Sequence, residues 1–222
     1  MVGPETLRVV PDIPDKLLET YLQSKEIAVD TELQGLRLQR DEVCLVQLCD
    51  RAKNVCLLQP PAHKPPPNLK KLFTHPNVTK VFHFAVSDVA FLRTSLGIHV
   101  HPFRCTKVMS KLIRTYTEAH GLRALVQELM GIELDKEMQT SNWSVKNPTQ
   151  MQLRYAANDV LYLLPVYDTL MEMLEHRGAL FSGTSALELN EAAQACLPTI
   201  VDLLVNGYGD RDNGWETSLF VH

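Results

Sequence analysis

Five prolines fall within the eight residues from Pro60 to Pro67. Proline lacks a backbone donor, fixes φ and pushes the preceding residue out of the helical region, so neither a helix nor a central strand can run through this block. It must be a loop, and the chain is patterned differently on its two sides. Ahead of it, residues 14–24 carry apolar positions at helical spacing, with Pro14 at the start. Three short apolar runs follow and read as strands: Glu26–Leu33, Val43–Cys49 and Asn54–Leu58. The last two are about four residues apart, which predicts an antiparallel meander.

Beyond the prolines, Asn68–Phe73 reads as a short helix and Thr79–His83 as a strand. Ser87–Leu96 is predicted to be a helix that stops at Gly97. From Phe103 to Arg177 the period is almost wholly helical, broken at Gly121, at Gly131 and at the start signal Asn147-Pro148. Ser185–Val205 is another amphipathic helix. Strands first and helices interleaved later predict an α/β fold with a mixed sheet covered by helices. No internal repeat or flexible linker interrupts the 222 residues, so one domain with a C-terminal extension is expected.

Lys and Arg number 22 against 26 Asp and Glu, a net charge of -4. A protein that coats nucleic acid by bulk charge is basic. Any nucleic-acid contact here must use a local patch or metal ions. No apolar run is long enough to span a membrane, and Met1–Pro11 lacks the basic and apolar stretches of a secretory signal. The five cysteines are odd in number and form no Cys-x-x-Cys pair, which predicts reduced thiols in a cytoplasmic protein.

Asp30 and Glu32 end the first long apolar run. Residues i and i+2 of a strand share a face, so two carboxylates emerge side by side. Like charges this close repel unless a cation lies between them, and a hard divalent cation suits oxygen ligands. The plainer reading is a turn cap at Asp30 and a solvated Glu32. Asp88 follows a strand and falls in the first turn of a predicted helix, where an acid complements the dipole and Ser87 is a plausible N-cap. Tyr155 and Asp159 are four apart, on one helix face, with Ala156 and Ala157 leaving room beside them. Taken singly, each of these has a structural explanation. The combination of all five is the signal.

With those residues in place, the chain resembles the DEDD 3′–5′ exonucleases, in the RNase D-like branch whose last motif carries tyrosine. Val29-Asp30-Thr31-Glu32 resembles the first motif, Phe82-His83 through Asp88 the second, and Tyr155 through Leu163 the third. His120-Gly121-Leu122, Leu134-Asp135-Lys136 and Asn142-Trp143 also fit, and the resemblance covers roughly residues 7–177. RNase D itself continues into helical nucleic-acid-binding domains, whereas only 45 residues follow Arg177 here. Phe103–Lys107, Leu112–Thr117 and the aromatic tail are closer to the single-domain nano-RNase C enzymes.

The resemblance implies an RNase H-like mixed sheet of about five to six strands. The exonuclease domain would occupy 1–178, and a helical extension, packed on the domain or on a neighbouring subunit, 179–222. Asp30, Glu32, Asp88 and Asp159 would hold two Mg²⁺ or Mn²⁺ ions, and Tyr155 would orient the attacking water. The expected substrate is very short RNA, dinucleotides above all, with DNA as a further candidate, in a cytoplasmic homo-octamer without membrane contact. The alternatives are a general exonuclease acting on longer RNA or DNA ends and a non-catalytic nucleic-acid-binding relative.

Substrate contacts are expected from Thr31, Leu33, Gln34, His83, Lys107, Arg114 and Trp143. Leu33, Gln34 and Leu36 would wedge against the terminal base, and Trp143 is either a stacking surface or core. Arg104, Lys107, Lys111 and Arg114 are spaced 3, 4 and 3 apart, which predicts a basic stripe on one helix face. Apolar residues from Ala186 to Leu204, with Trp215, Leu219, Phe220 and Val221 behind them, predict that the C-terminal segment takes part in assembly.

Overall fold

The computed structural model describes residues 7–134, 141–178 and 183–208. The tail residues Trp215, Leu219, Phe220 and Val221, and Asp135 and Lys136, lie outside the described residues. In chain order the elements are β1 (Val9–Val10), α1 (Asp15–Leu22), β2 (Glu26–Leu33), β3 (Val43–Cys49), β4 (Val55–Leu58), α2 (Pro67–Phe73), β5 (Thr79–Phe82), α3 (Ala85–Leu96), β6 (Phe103–Cys105), α4 (Thr106–Ile113), α5 (Leu122–Met130), α6 (Gln150–Leu161), α7 (Leu163–His176) and α8 (Ala186–Val205).

The strands form one mixed sheet in the order β1-β4-β3-β2-β5-β6. β2, β3 and β4 make the expected antiparallel meander, while β1, β5 and β6 each pair parallel with a neighbour. β1 and β6 were not legible in the sequence. They have two and three residues, too few for alternation to show, and Phe103–Cys105 falls where the pattern reads as helix.

Alternation along β2 decides what each helix covers. Ile27 and Val29 face the larger core with Phe91 and Leu92 of α3 and Leu197 and Val201 of α8. Ala28 faces the opposite layer, with Val160, Leu163 and Leu164 of α6 and α7. Asp30 and Glu32 continue the Ala28 side and therefore emerge towards α6, whereas Thr31 emerges towards α3. Pairing of β2 with β5 stops at Ala28↔Val81, but pairing with β3 runs on to Leu33. The last turn of β2 thus has an unpaired side, and the chain leaving β5 turns into α3 beside it.

α8 opens on a capping box between Ser185 and Glu188. Its Gln194 accepts from the Cys105 N–H at 2.8 Å and donates to the Cys105 carbonyl at 3.0 Å. One side chain thereby satisfies backbone groups on the outer side of an edge strand, which would otherwise be open to pairing. The buried side of α8 lies against α3 of its own domain. No helix among the described residues is long and apolar enough to cross a membrane.

Candidate active site

The unpaired end of β2 opens into a cleft of about 590 Å³, floored by Asp30, Glu32, Asp88 and Asp159. Asp30 and Glu32 come from β2. Asp159 comes from α6, whose start is fixed by a reciprocal capping box between Thr149 and Gln152. Single carboxylate oxygens of Asp30, Glu32 and Asp159 all lie within 4.8 Å of one another. Asp88 reaches the same cleft from α3, the other side of the sheet, and is not one of that trio. Its Oδ1 accepts from the Thr31 hydroxyl at 2.6 Å. The register between β2 and β3 shifts at Glu32/Leu33, so a bulge lies beside the acids, a common device next to functional sites.

Enclosure pushes all four acids up, and the charges of neighbouring acids add to it at Asp30 and Glu32. Glu32 reaches about 9, through burial and then the charges of Asp159 and Asp88. Asp88 and Asp159 each reach about 7, mainly through burial. Asp30 lies well above the usual carboxylate range, by burial and then the three other acids. Such a group of oxygens, disfavoured as charged in its own surroundings, fits a divalent cation.

Tyr155 is one turn before Asp159 on α6. Burial and the charge of Asp159 raise its phenol far above the ordinary tyrosine value, so the hydroxyl keeps its proton. The Trp143 ring leans on it, with centroids 6.1 Å apart at 38°. Trp143 is buried, lines the cleft, and its Nε1 has no partner among the described residues. His83 lines the cleft as well. Its Nδ1 is 2.9 Å from the Thr106 hydroxyl. Burial, then the charge of Lys107, lowers His83 to about 3, so the ring is neutral.

Most of the other expected contacts reach this cleft. Thr31, Leu33 and Lys107 line it, and so does Leu36, which is 86% exposed. Gln34 does not line it: its side chain faces solvent, and its N–H is held by the Glu42 carbonyl at 2.9 Å. Gly35, next to it, approaches Asp41 so closely that a Cβ would meet the carboxylate at 2.3 Å. The basic stripe is not there. α4 starts at Thr106, so Arg104 lies on β6, where it pairs with Glu191 at 2.6 Å. Arg114 is fully buried, bonded to Glu128, to the Ser110 hydroxyl at 2.9 Å and to the Ala119 carbonyl at 2.8 Å. Its donors are committed to the fold, and it is not a substrate contact.

Two cleft residues were missed. Phe84, not Ser87, is the N-cap of α3, in the left-handed region at φ 73°, an outlying conformation for a bulky side chain. Its exposed ring lies 4.1 Å from the Lys107 ammonium. Arg123 lines the cleft with a buried Nη1 that lacks a partner among the described residues. Its place one residue after His120-Gly121-Leu122 was the available signal.

The sequence matches the protein family described as 3′–5′ exonuclease over residues 11–175. The chain belongs to this family. Ribonuclease D of Cronobacter turicensis is 30% identical over 173 residues, covering 78% of this chain and 46% of that protein. The chain spans less than half the length of the curated relatives it matches. Among solved structures, NrnC of Brucella melitensis is 37% identical with a TM-score of 0.82, covering 91% of this chain and 94% of that one. The same protein bound to pGG gives 36% and 0.83, covering 96% of each chain. Ribonuclease D of Escherichia coli gives 26% and 0.68, covering 86% of this chain and 51% of that one. These neighbours share the RNase H-like sheet described above.

Proposed function

We propose that this chain is a metal-dependent 3′–5′ exoribonuclease that hydrolyses very short RNA, dinucleotides above all, to nucleoside 5′-monophosphates. The observation that carries this is the convergence of four acids and Tyr155, from β2, α3 and α6, on one cleft. The preference for short substrate draws support from NrnC, which matches over nearly its whole length and has been seen with pGG. Asp30, Glu32, Asp88 and Asp159 would hold two divalent cations, Mg²⁺ or Mn²⁺. Bound there, such ions lower the pKa of a water and offset charge on the leaving oxygen.

The chain's own residues supply position and shape. Tyr155 keeps its proton and orients the attacking water by hydrogen bonding. The ionised acids need cations before a phosphate approaches. Leu33 and Leu36 form an apolar wall for the terminal base, and Lys107 adds positive charge near Phe84. The Trp143 Nε1 and Arg123 Nη1, unpaired among the described residues, gain partners from substrate. Assembly as a homo-octamer is part of the proposal, with Tyr116, Met151, Leu189 and Tyr208, none of which lines the cleft, as exposed apolar contacts. So is a cytoplasmic location, which suits five free cysteines.

The test is a time course on labelled RNA and DNA of two, three and seven nucleotides with Mg²⁺ or Mn²⁺, with light scattering on the same sample. The two-nucleotide RNA should be consumed fastest and the mass should be eight times that of the chain. Faster turnover of the longest substrate favours an exonuclease for longer ends, and binding without turnover favours a non-catalytic relative. A monomeric mass removes the assembly.

Tyr155→Phe removes a hydroxyl and almost no volume. Its rate should fall by about 10- to 1000-fold, the range for one positioned catalytic hydrogen bond, with dinucleotide affinity nearly unchanged. An unaltered rate reduces Tyr155 to packing against Trp143.

A further inference from the structure

Behind Asp30, away from the cleft, lies a residue that none of the motifs includes. β2 and β3 pair with Asp30 directly opposite Gln47 and Glu32 opposite Leu45. Opposed residues project to the same face, with Cβ atoms roughly 5 Å apart. Gln47 is therefore on the α6 side of the sheet, beside Asp30. Across its other edge it is opposite Leu57, which packs in one layer with Leu45, Ala156 and Ala157. Gln47 is fully buried, and neither its Nε2 nor its Oε1 has a hydrogen-bond partner among the described residues. It does not line the cleft, so substrate cannot satisfy it.

A buried amide with both ends unpaired opposes folding, and an apolar side chain of the same length would fill the place without that cost. Leu45, Leu57, Ala156 and Ala157 offer it no side-chain partner. The polar group one cross-strand step away is the Asp30 carboxylate. We propose that Gln47 is a positioning residue for Asp30, its Nε2–H donating to that carboxylate when the carboxylate holds a divalent cation. The donated hydrogen bond fixes which way Asp30 presents its oxygens. Groups that hydrogen-bond to metal ligands in this way tune both ligand orientation and affinity. The inference rests on reading the four acids as a cation site.

Gln47→Met keeps the length and unbranched shape of the side chain and removes the donor. Mn²⁺ titrated alone into the full chain, followed by calorimetry, should show about 10- to 100-fold weaker binding in the variant. The metal-free variant should melt no lower than the wild type, because an unpaired amide has left the core. A merely structural glutamine predicts the reverse pair of results, a lower melting temperature and unchanged Mn²⁺ affinity, and that pair overturns the proposal. A second readout needs no variant. The Gln47 side-chain amide protons of the wild type should shift downfield and exchange more slowly when Mg²⁺ is added, and unmoved resonances at saturating Mg²⁺ count against the contact. A wild-type chain that binds neither ion defeats the cation-site reading as well. Binding that is normal in both proteins defeats this inference alone.

Discussion

Asp159→Asn is expected to lower kcat/KM by at least about 10³-fold while raising the melting temperature of the metal-free protein. Loss of several kcal/mol of metal-assisted charge stabilisation corresponds to that factor. Asparagine matches aspartate in size and removes one of three carboxylates whose oxygens lie within 4.8 Å of one another. The charge of Asp159 is the leading charge acting on Glu32 and one of those acting on Asp30. Removing it relieves repulsion that the metal-free fold must bear, while taking a ligand that no neighbour replaces. Asp88 is no substitute, because the Thr31 hydroxyl engages it from the α3 side. Steady-state rates on a dinucleotide with Mg²⁺, and thermal melting in chelator, check the two halves. Near-wild-type turnover with normal cation binding removes Asp159 from the ligand set, and a lower melting temperature removes the repulsion argument.

The opposite signs of those two effects explain why the acids were legible before any fold was known. A strand whose alternation runs Ala28, Asp30, Glu32 continues a buried face into charge, which folding alone does not favour. Tyr155 and Asp159 were legible through the four-residue helical spacing, and the Gly97 stop and the Ser185 start because caps have specific chemistry. Arg114 was not legible. Its burial depends on Glu128, fourteen residues away on another helix, and on α4 ending at Ile113 so that Arg114 leaves the helical path at ψ 58°. The stripe assumed an unbroken helix through 104–114. A three-residue parallel edge strand, held by Lys80, Val81 and Phe82 of β5, displaced Arg104 from it. Phe84 escaped notice because nothing in a phenylalanine announces a left-handed backbone. Gln47 reads as one polar residue within an apolar strand, and only the register with Asp30 gives it meaning.

Without divalent cations, the wild-type chain should lose stability relative to Glu32→Gln as pH rises from about 5 to 9, and added Mg²⁺ should restore it most at the alkaline end. Glu32 is raised to about 9, against an unfolded value of about 4.3. Between those values the folded chain holds a proton that the unfolded chain has lost, so stability falls with rising pH across that window and levels off above it. Asp88 and Asp159, raised to about 7, add slope of the same sign up to that pH. Two buried groups act with the other sign. His83, lowered to about 3, adds stability as pH rises to about 6.5. Lys80, lowered to about 7 by burial, adds it above that. Both remain in Glu32→Gln, so the difference between the two proteins reports Glu32 together with its effect on Asp30. Cation binding displaces the shared protons and therefore tightens with pH. At a concentration one hundred times its dissociation constant, the ion contributes about 2.7 kcal/mol, or roughly 5–10 °C in melting temperature for a domain of this size. Melting curves at pH 5, 7 and 9, in chelator and in Mg²⁺, read all of this. A Mg²⁺ increment that shrinks with pH means that these carboxylates do not share a cation, and a wild-type slope equal to that of Glu32→Gln means that Glu32 is not raised in the fold.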